Sequence, residues 1–315
     1  MAERPRYTPE RRSDAARVAI GSRLLVGGGS VLMSLLGRAG NRRAVHTAER
    51  VWARAATALL DLEINITGMH HVDTTKQYVV VSLHEGLTDP VALLRLPLGL
   101  RFAARDELFD WPALGRYLRA SDQVRVDEQP GRASLRRLYR EIGAAFEVGD
   151  SLVMFPQGSV LGVEVAFQPG AFRIARHFDR PVLPVVLAGS HRVWEHPFSS
   201  TVRLGQRVTM RVLPPIAARD LDAAAILRLE RTMKHVALDS QAPVRRFVPE
   251  RDGWWDDYRY EIDPCFIELA DRLTRRRAGR LAVVGRERTR PAGSIGDDLD
   301  TPPEGDVATD VPGSV

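Results

Sequence analysis

The chain has 315 residues, 44% of them hydrophobic and 27% charged, enough to fill a sizeable core and too apolar for a wholly disordered protein. Its single cysteine, Cys265, excludes a disulfide framework and a cysteine metal site and fits a reducing, cytoplasmic compartment. The net charge of +5 and pI near 9.8 are carried almost entirely by arginine, Lys76 and Lys234 being the only lysines. Arginines cluster near the N-terminus and from Arg272 to Arg290, which suits an anionic partner. No nucleic-acid module signature is present, and the aromatic residues do not interleave with the arginines as a stacking platform requires, so anionic lipid is the better match.

Residues 1–12 read as disordered, and a helical stretch follows through Val18–Leu36. Within it, Leu24–Leu36 is too short to span a bilayer and contains Gly27-Gly28-Gly29. It has no cleavage-site pattern and is flanked by Arg17, Arg23, Arg38, Arg42 and Arg43. It reads either as a segment lying on the membrane or as a helix packed on the domain's own core. A second helix is expected over Ala48–Leu60, with Val51, Ala55, Ala56, Leu59 and Leu60 on one face. Strands follow at Leu62–Thr67 and Tyr78–Leu83, the latter apolar enough to be buried on both faces. His70-His71 lies beside a turn with no second ligand cluster near it and reads as surface histidines.

Further along, helices are expected at Pro90–Leu96, Trp111–Leu118, Ala133–Glu147, Gly170–His177 and Leu221–Leu238. Ala133–Glu147 is the clearest, with Leu135, Leu138, Ile142 and Phe146 in helical step. Strands are expected at Leu100–Ala104, Gln123–Val126, Ser151–Phe155 and Val182–Leu187, and an edge hairpin at Val202–Val212. This alternation predicts an α/β fold: a mostly parallel sheet with helices on both faces, preceded by N-terminal helices that are candidates for the membrane surface. Four segments result: residues 1–60 helical and interfacial, 61–240 the main domain, 241–285 an extension, and 286–315 a disordered acidic tail. In the extension, Gly253-Trp254-Trp255-Asp256-Asp257-Tyr258 reads either as an interfacial belt or as aromatics folded onto the core.

Two sequence stretches carry chemistry. In Ser82-Leu83-His84-Glu85-Gly86-Leu87-Thr88-Asp89, the spacing lets the Asp89 carboxylate hold the His84 imidazole in one tautomer. The other ring nitrogen is then available to take a proton from an alcohol. This is part of a catalytic triad without its serine, which suits attack by a substrate hydroxyl. Such a pair also arises by chance, so the second stretch, Phe155-Pro156-Gln157-Gly158-Ser159, matters. Both follow the ends of predicted strands, where open α/β sheets place their sites. No G-x-S-x-G nucleophile elbow is present, and Gly27-Gly28-Gly29 lacks a P-loop lysine.

In this order and spacing the chain resembles the lysophospholipid acyltransferase family, typified by bacterial 1-acylglycerol-3-phosphate acyltransferases. The family's N-H-x4-D block is met by His84 to Asp89, and its F-P-E-G-T-R block by Phe155 to Val160. Its F-K-x-G-A segment is met by Phe167-Gln168-Pro169-Gly170-Ala171, and its V-P-V block by Pro181 to Val185. The resemblance covers roughly residues 60–215. It implies acyl transfer from acyl-CoA or an acyl-carrier protein to a lysophospholipid hydroxyl, at the cytoplasmic side of the cell membrane, with no metal or cofactor. His84 and Asp89 would be catalytic. Phe155, Pro156, Gln157, Gly158, Ser159 and Arg125 would bind substrate, with backbone N–H groups around Gly158 facing phosphate or oxyanion. The family's third-block Glu is Gln157 here and its Arg is Val160, while its second block ends in Val126-Asp127-Glu128 in place of an Asp-Arg pair. These departures leave Arg125, Arg101 or Arg105 to supply charge to the acceptor, or point to another lipid alcohol as acceptor. They also leave open a non-catalytic lipid- or acyl-CoA-binding protein of the same fold.

Overall fold

The computed structural model describes residue 21 and residues 27–240 apart from 39, 87, 112–113, 128–130, 159–162, 164 and 194–202. The expectations for residues 1–12, for the extension with Trp254 and Trp255, and for the acidic tail lie outside the described residues. Seven strands form one sheet in the order β1-β7-β6-β2-β5-β3-β4. They are β1 Glu63–Thr67, β2 Val79–Ser82, β3 Leu100–Arg105, β4 Val124–Val126, β5 Ser151–Met154, β6 Val182–Ala188 and β7 Arg207–Val212. The helices are α1 Gly29–Arg38, α2 Arg42–Leu59, α3 Asp89–Leu93, α4 Leu114–Ala120, α5 Arg132–Glu147, α6 Gly170–His177 and α7 Ala223–Leu238.

β2 to β6 run parallel to one another; β7 pairs antiparallel with β6 and parallel with β1. The architecture is thus a mostly parallel sheet with helices on both faces, as the strand–helix alternation predicts. The expected edge hairpin at Val202–Val212 is corrected: one strand, Arg207–Val212, sits inside the sheet between β6 and β1. Its alternate residues Val208, Met210 and Val212 are buried, a pattern shared by edge strands and by interior strands with one solvated face.

The period of two along β2 explains the two cores. Val79 and Val81 point to a layer closed by Ile142 and Phe146 of α5, Phe172 and Ile174 of α6, and Leu229 and Met233 of α7. Tyr78 and Val80 point to the opposite layer, closed by Ala53 and Ala56 of α2 and by Val91, Ala92 and Leu93 of α3.

Helix α2 starts six residues earlier than its apolar pattern suggests, because the Asn41 side chain caps it by accepting from the Ala44 N–H at 3.0 Å. Its buried stripe also differs from the expected face: Val45, Glu49, Ala53, Ala56 and Thr57 are buried, whereas Val51 is 57% exposed. The stripe runs through polar residues because they are paired. His46 reaches Glu49 through Nδ1 at 3.0 Å and Asp150 through Nε2 at 2.7 Å. Asp150 also accepts from Arg101 Nε at 2.6 Å and Arg42 Nη2 at 2.5 Å, while Tyr117 donates to Glu49 at 2.8 Å. This network lies where chain enters β3 and β5, at the end of the sheet opposite the loops described next.

Candidate active site

β6, β2 and β5 are adjacent parallel strands, so the loops leaving their carboxyl ends open at one rim of the sheet. His84 leaves β2, Phe155 to Gly158 leave β5, and Gly189 and Ser190 leave β6. Because β2 is buried on both faces, its last residues are held rigidly and His84 emerges at a fixed point. The chain then turns at once into α3, whose first residue is Asp89 and whose second is Pro90, pre-set for a helix start.

That turn brings Asp89 back onto His84, with Nδ1 2.6 Å from Oδ2. The same oxygen accepts from the backbone N–H groups of Glu85 at 2.8 Å and Gly86 at 3.1 Å. With two backbone N–H groups already donating to that oxygen, it is an acceptor for the ring, which makes Nδ1 the nitrogen that carries the proton. Asp89 is fully buried, and its Oδ1 has no hydrogen-bond partner among the described residues. The His84 side chain keeps 16% exposure, so the ring is reachable while its partner is sealed. Phe155 stacks on the imidazole at 3.9 Å between centroids and 16° between planes, which limits ring rotation. Among the described residues, no hydroxyl or thiol is hydrogen-bonded to His84. Ser82, the nearest serine in sequence, donates to the Leu83 carbonyl at 3.1 Å.

The Phe155–Gly158 turn meets the same site. Gln157 is buried, and its Oε1 accepts the His84 N–H at 2.8 Å, tying the two loops together. Pro156 is buried, and its carbonyl accepts from the Gln168 N–H at 2.7 Å, which links the turn to the segment entering α6. Gly158 has a positive φ of 66°, a conformation glycine adopts without strain. Its N–H donates to the Phe155 carbonyl at 3.0 Å and closes the turn. Ser159 and Val160 lie outside the described residues, as does Glu128.

The three candidate arginines are dispersed. Arg125 is on β4, the edge strand three places from β2, with Nη1 2.9 Å from Asp106 and its guanidinium 4.4 Å over the Phe109 ring. It is not brought to His84. Arg101 sits at the entry end of β3, bound to Asp150 in the network on the far side of the sheet. Arg105 ends β3 at the same rim as His84, with Nη1 3.8 Å from Glu107. Sequence reading missed Glu85, which is 1% exposed and accepts the Gly189 N–H at 2.9 Å. The available signal was a charged residue inside the turn that follows a fully buried strand.

Residues 63–188 match the protein-family model described as Acyltransferase. They contain the strands that present all three loops. The chain is 28% identical over 166 residues to a 1-acyl-sn-glycerol-3-phosphate acyltransferase of Limnanthes alba, covering 51% of this chain and 57% of that protein. Against the alpha form of that enzyme in Mus musculus the identity is 26% over 196 residues, covering 58% and 65%. The fold matches the crystal structure of the 1-acyl-sn-glycerophosphate (LPA) acyltransferase PlsC from Thermotoga maritima, with a TM-score of 0.61 at 21% identity, covering 74% of this chain and 97% of that one. Residues 63–188 form an acyltransferase domain.

The chain spans less than two thirds of the length of these curated relatives. Within the acyltransferase domain, the Gln157 that replaces the family glutamate is integrated into the site, because an amide oxygen accepts the His84 N–H as a carboxylate would. Of the three arginines considered for the acceptor's charge, Arg101 is bound to Asp150 at the entry end of β3, Arg125 pairs with Asp106 and Arg105 pairs with Glu107.

Proposed function

We propose that the chain transfers a fatty acyl group from an acyl-CoA or acyl-carrier-protein thioester to the free hydroxyl of 1-acylglycerol-3-phosphate or a closely related lysolipid. The observation that carries this reading is the sealed Asp89 carboxylate 2.6 Å from His84 Nδ1, beside an exposed ring edge with no enzyme nucleophile bonded to it among the described residues. In this scheme His84 Nε2 accepts the acceptor's hydroxyl proton as that oxygen attacks the thioester carbonyl. The tetrahedral intermediate then expels the thiolate, which takes the proton from the imidazolium, giving ester and free thiol. Asp89 holds the imidazolium without itself being protonated.

In this reading the reaction occurs at an anionic membrane surface, on its cytoplasmic side. No helix among the described residues is long and apolar enough to cross a membrane. α1 presents Val31, Leu32 and Leu35 at 47%, 51% and 58% exposure, next in sequence to Arg42 and the exposed Arg43. An apolar face beside basic residues suits binding in the headgroup layer.

The test is a matrix of donors and acceptors on anionic vesicles: labelled acyl-CoA or acyl-carrier protein against lysophosphatidic acid and other lysolipids. Product with lysophosphatidic acid is the expected result. Product only with a different lysolipid would make the Val126-Asp127-Glu128 and Val160 departures the mark of a changed acceptor. No product from any pair, with acyl-CoA still bound, would replace this reading by a lipid-binding one.

A further inference from the structure

The loop carrying His84 is suspended between its two neighbours. On the β5 side Gln157 accepts the His84 N–H. On the β6 side the Glu85 carboxylate accepts the Gly189 N–H at 2.9 Å. Glu85 also donates its own N–H to Asp89 Oδ2 at 2.8 Å, so one residue contacts both the loop after β6 and the carboxylate that orients the base. Gly189 has a φ of 94°, which turns its N–H back toward Glu85 at the start of the 3₁₀ turn Ser190–Arg192. A second, longer crossing runs from Thr88 Oγ1 to the Ser190 carbonyl at 3.5 Å.

Burying a carboxylate is costly unless it is bonded, and a neutral or apolar side chain would fill this position at lower cost. The tether it makes fixes the backbone at the residue following the base. Misplacing a catalytic group by about 1 Å costs on the order of 10²-fold in rate. We propose that Glu85 is a positioning residue for acyl transfer, its carboxylate fastening the catalytic loop to the loop after β6 so that His84 and Asp89 stay in register. It acts through His84 and Asp89 and does not touch the reacting atoms. The assignment rests on the acyl-transfer reading above.

The experiment compares the full chain with Glu85→Leu, which keeps the volume without an acceptor, and with Glu85→Gln, which keeps an acceptor oxygen, in one assay with melting temperatures alongside. Glu85→Leu is expected to lower kcat by about 10–100-fold with KM for acyl-CoA changed less than about threefold. Glu85→Gln is expected to restore kcat to within about fivefold of wild type, because the Gly189 bond can re-form. In a His84→Ala background, Glu85→Leu is expected to add no further loss. The proposal is overturned if the Leu variant keeps wild-type kcat, if Gln and Leu are equally impaired, or if the loss lies in KM alone. Should Glu85→Leu fail to fold, the Gln variant decides: kcat more than about tenfold below wild type at an unchanged melting temperature removes the tether account. If wild type itself transfers no acyl group, it is the acyl-transfer reading that fails.

Discussion

Replacing Asp89 with alanine is expected to lower kcat for acyl transfer by about 10³–10⁴-fold while leaving KM for acyl-CoA nearly unchanged. The carboxylate is fully buried and, among the described residues, is hydrogen-bonded only to His84 Nδ1 and the Glu85 and Gly86 N–H groups, so it has no path to bind substrate. Its removal takes away the acceptor that fixes the Nδ1–H tautomer and the charge that stabilises the imidazolium formed during attack. The equivalent barrier increase is about 4–5.5 kcal/mol at 1.36 kcal/mol per decade. Asp89→Asn keeps the shape but can present an N–H to Nδ1, favouring the other tautomer, so its loss should approach that of alanine. Steady-state kinetics on both variants check this. A loss below tenfold in each would mean that the carboxylate does not orient the base.

The second large effect is on stability. Asp150→Ala removes the centre of the network joining α2 to the entry ends of β3 and β5 and leaves His46, Arg42 and Arg101 without their shared carboxylate. Breaking a buried charged group in this way costs about 3–5 kcal/mol. For a domain of this size that corresponds to a fall in melting temperature of roughly 6–20 °C. Asp122→Ala is the control: that side chain pairs with the same Arg42 but is 66% exposed, so its loss should be under about 1 kcal/mol.

The same network has a pH signature. Burial alone would depress His46, but its hydrogen bonds to Asp150 and Glu49 and their charges hold it up at about 9, against an ordinary 6.5. A raised histidine stabilises fully below 6.5 and loses its contribution as pH climbs through about 9. For Asp150, burial would raise the carboxyl, but His46, Arg101 and Arg42 hold it far below its ordinary 3.8. Its contribution is therefore present above that value and is lost only in strong acid. Thermal melts between pH 6 and 10 should show a decline through about 9 that is absent in His46→Ala. A flat profile in wild type would contradict the network's charged form.

These two sites differ in how far they could be read from sequence. The His84–Asp89 pair was legible because both partners lie in one short turn after an apolar strand. The strands β2 and β5 and the amphipathic α5 were legible because their periodicity reports burial directly. The start and buried face of α2 were not: Arg42, His46 and Glu49 look solvated in sequence, and their partners are distant, Asp150 for Arg42 and His46 and Tyr117 for Glu49. The links from Gln157 to His84 and from Glu85 to Gly189 were hidden for the same reason, spanning 73 and 104 residues. The placing of β7 failed because half-buried alternation does not distinguish an edge strand from one inside the sheet.

The most direct measurement is acyl transfer from labelled acyl-CoA to lysophosphatidic acid on anionic vesicles, wild type beside His84→Ala. The account predicts labelled phosphatidic acid from wild type and a rate at least about 10³-fold lower from the variant, with acyl-CoA binding retained. Transfer that survives in His84→Ala would contradict it.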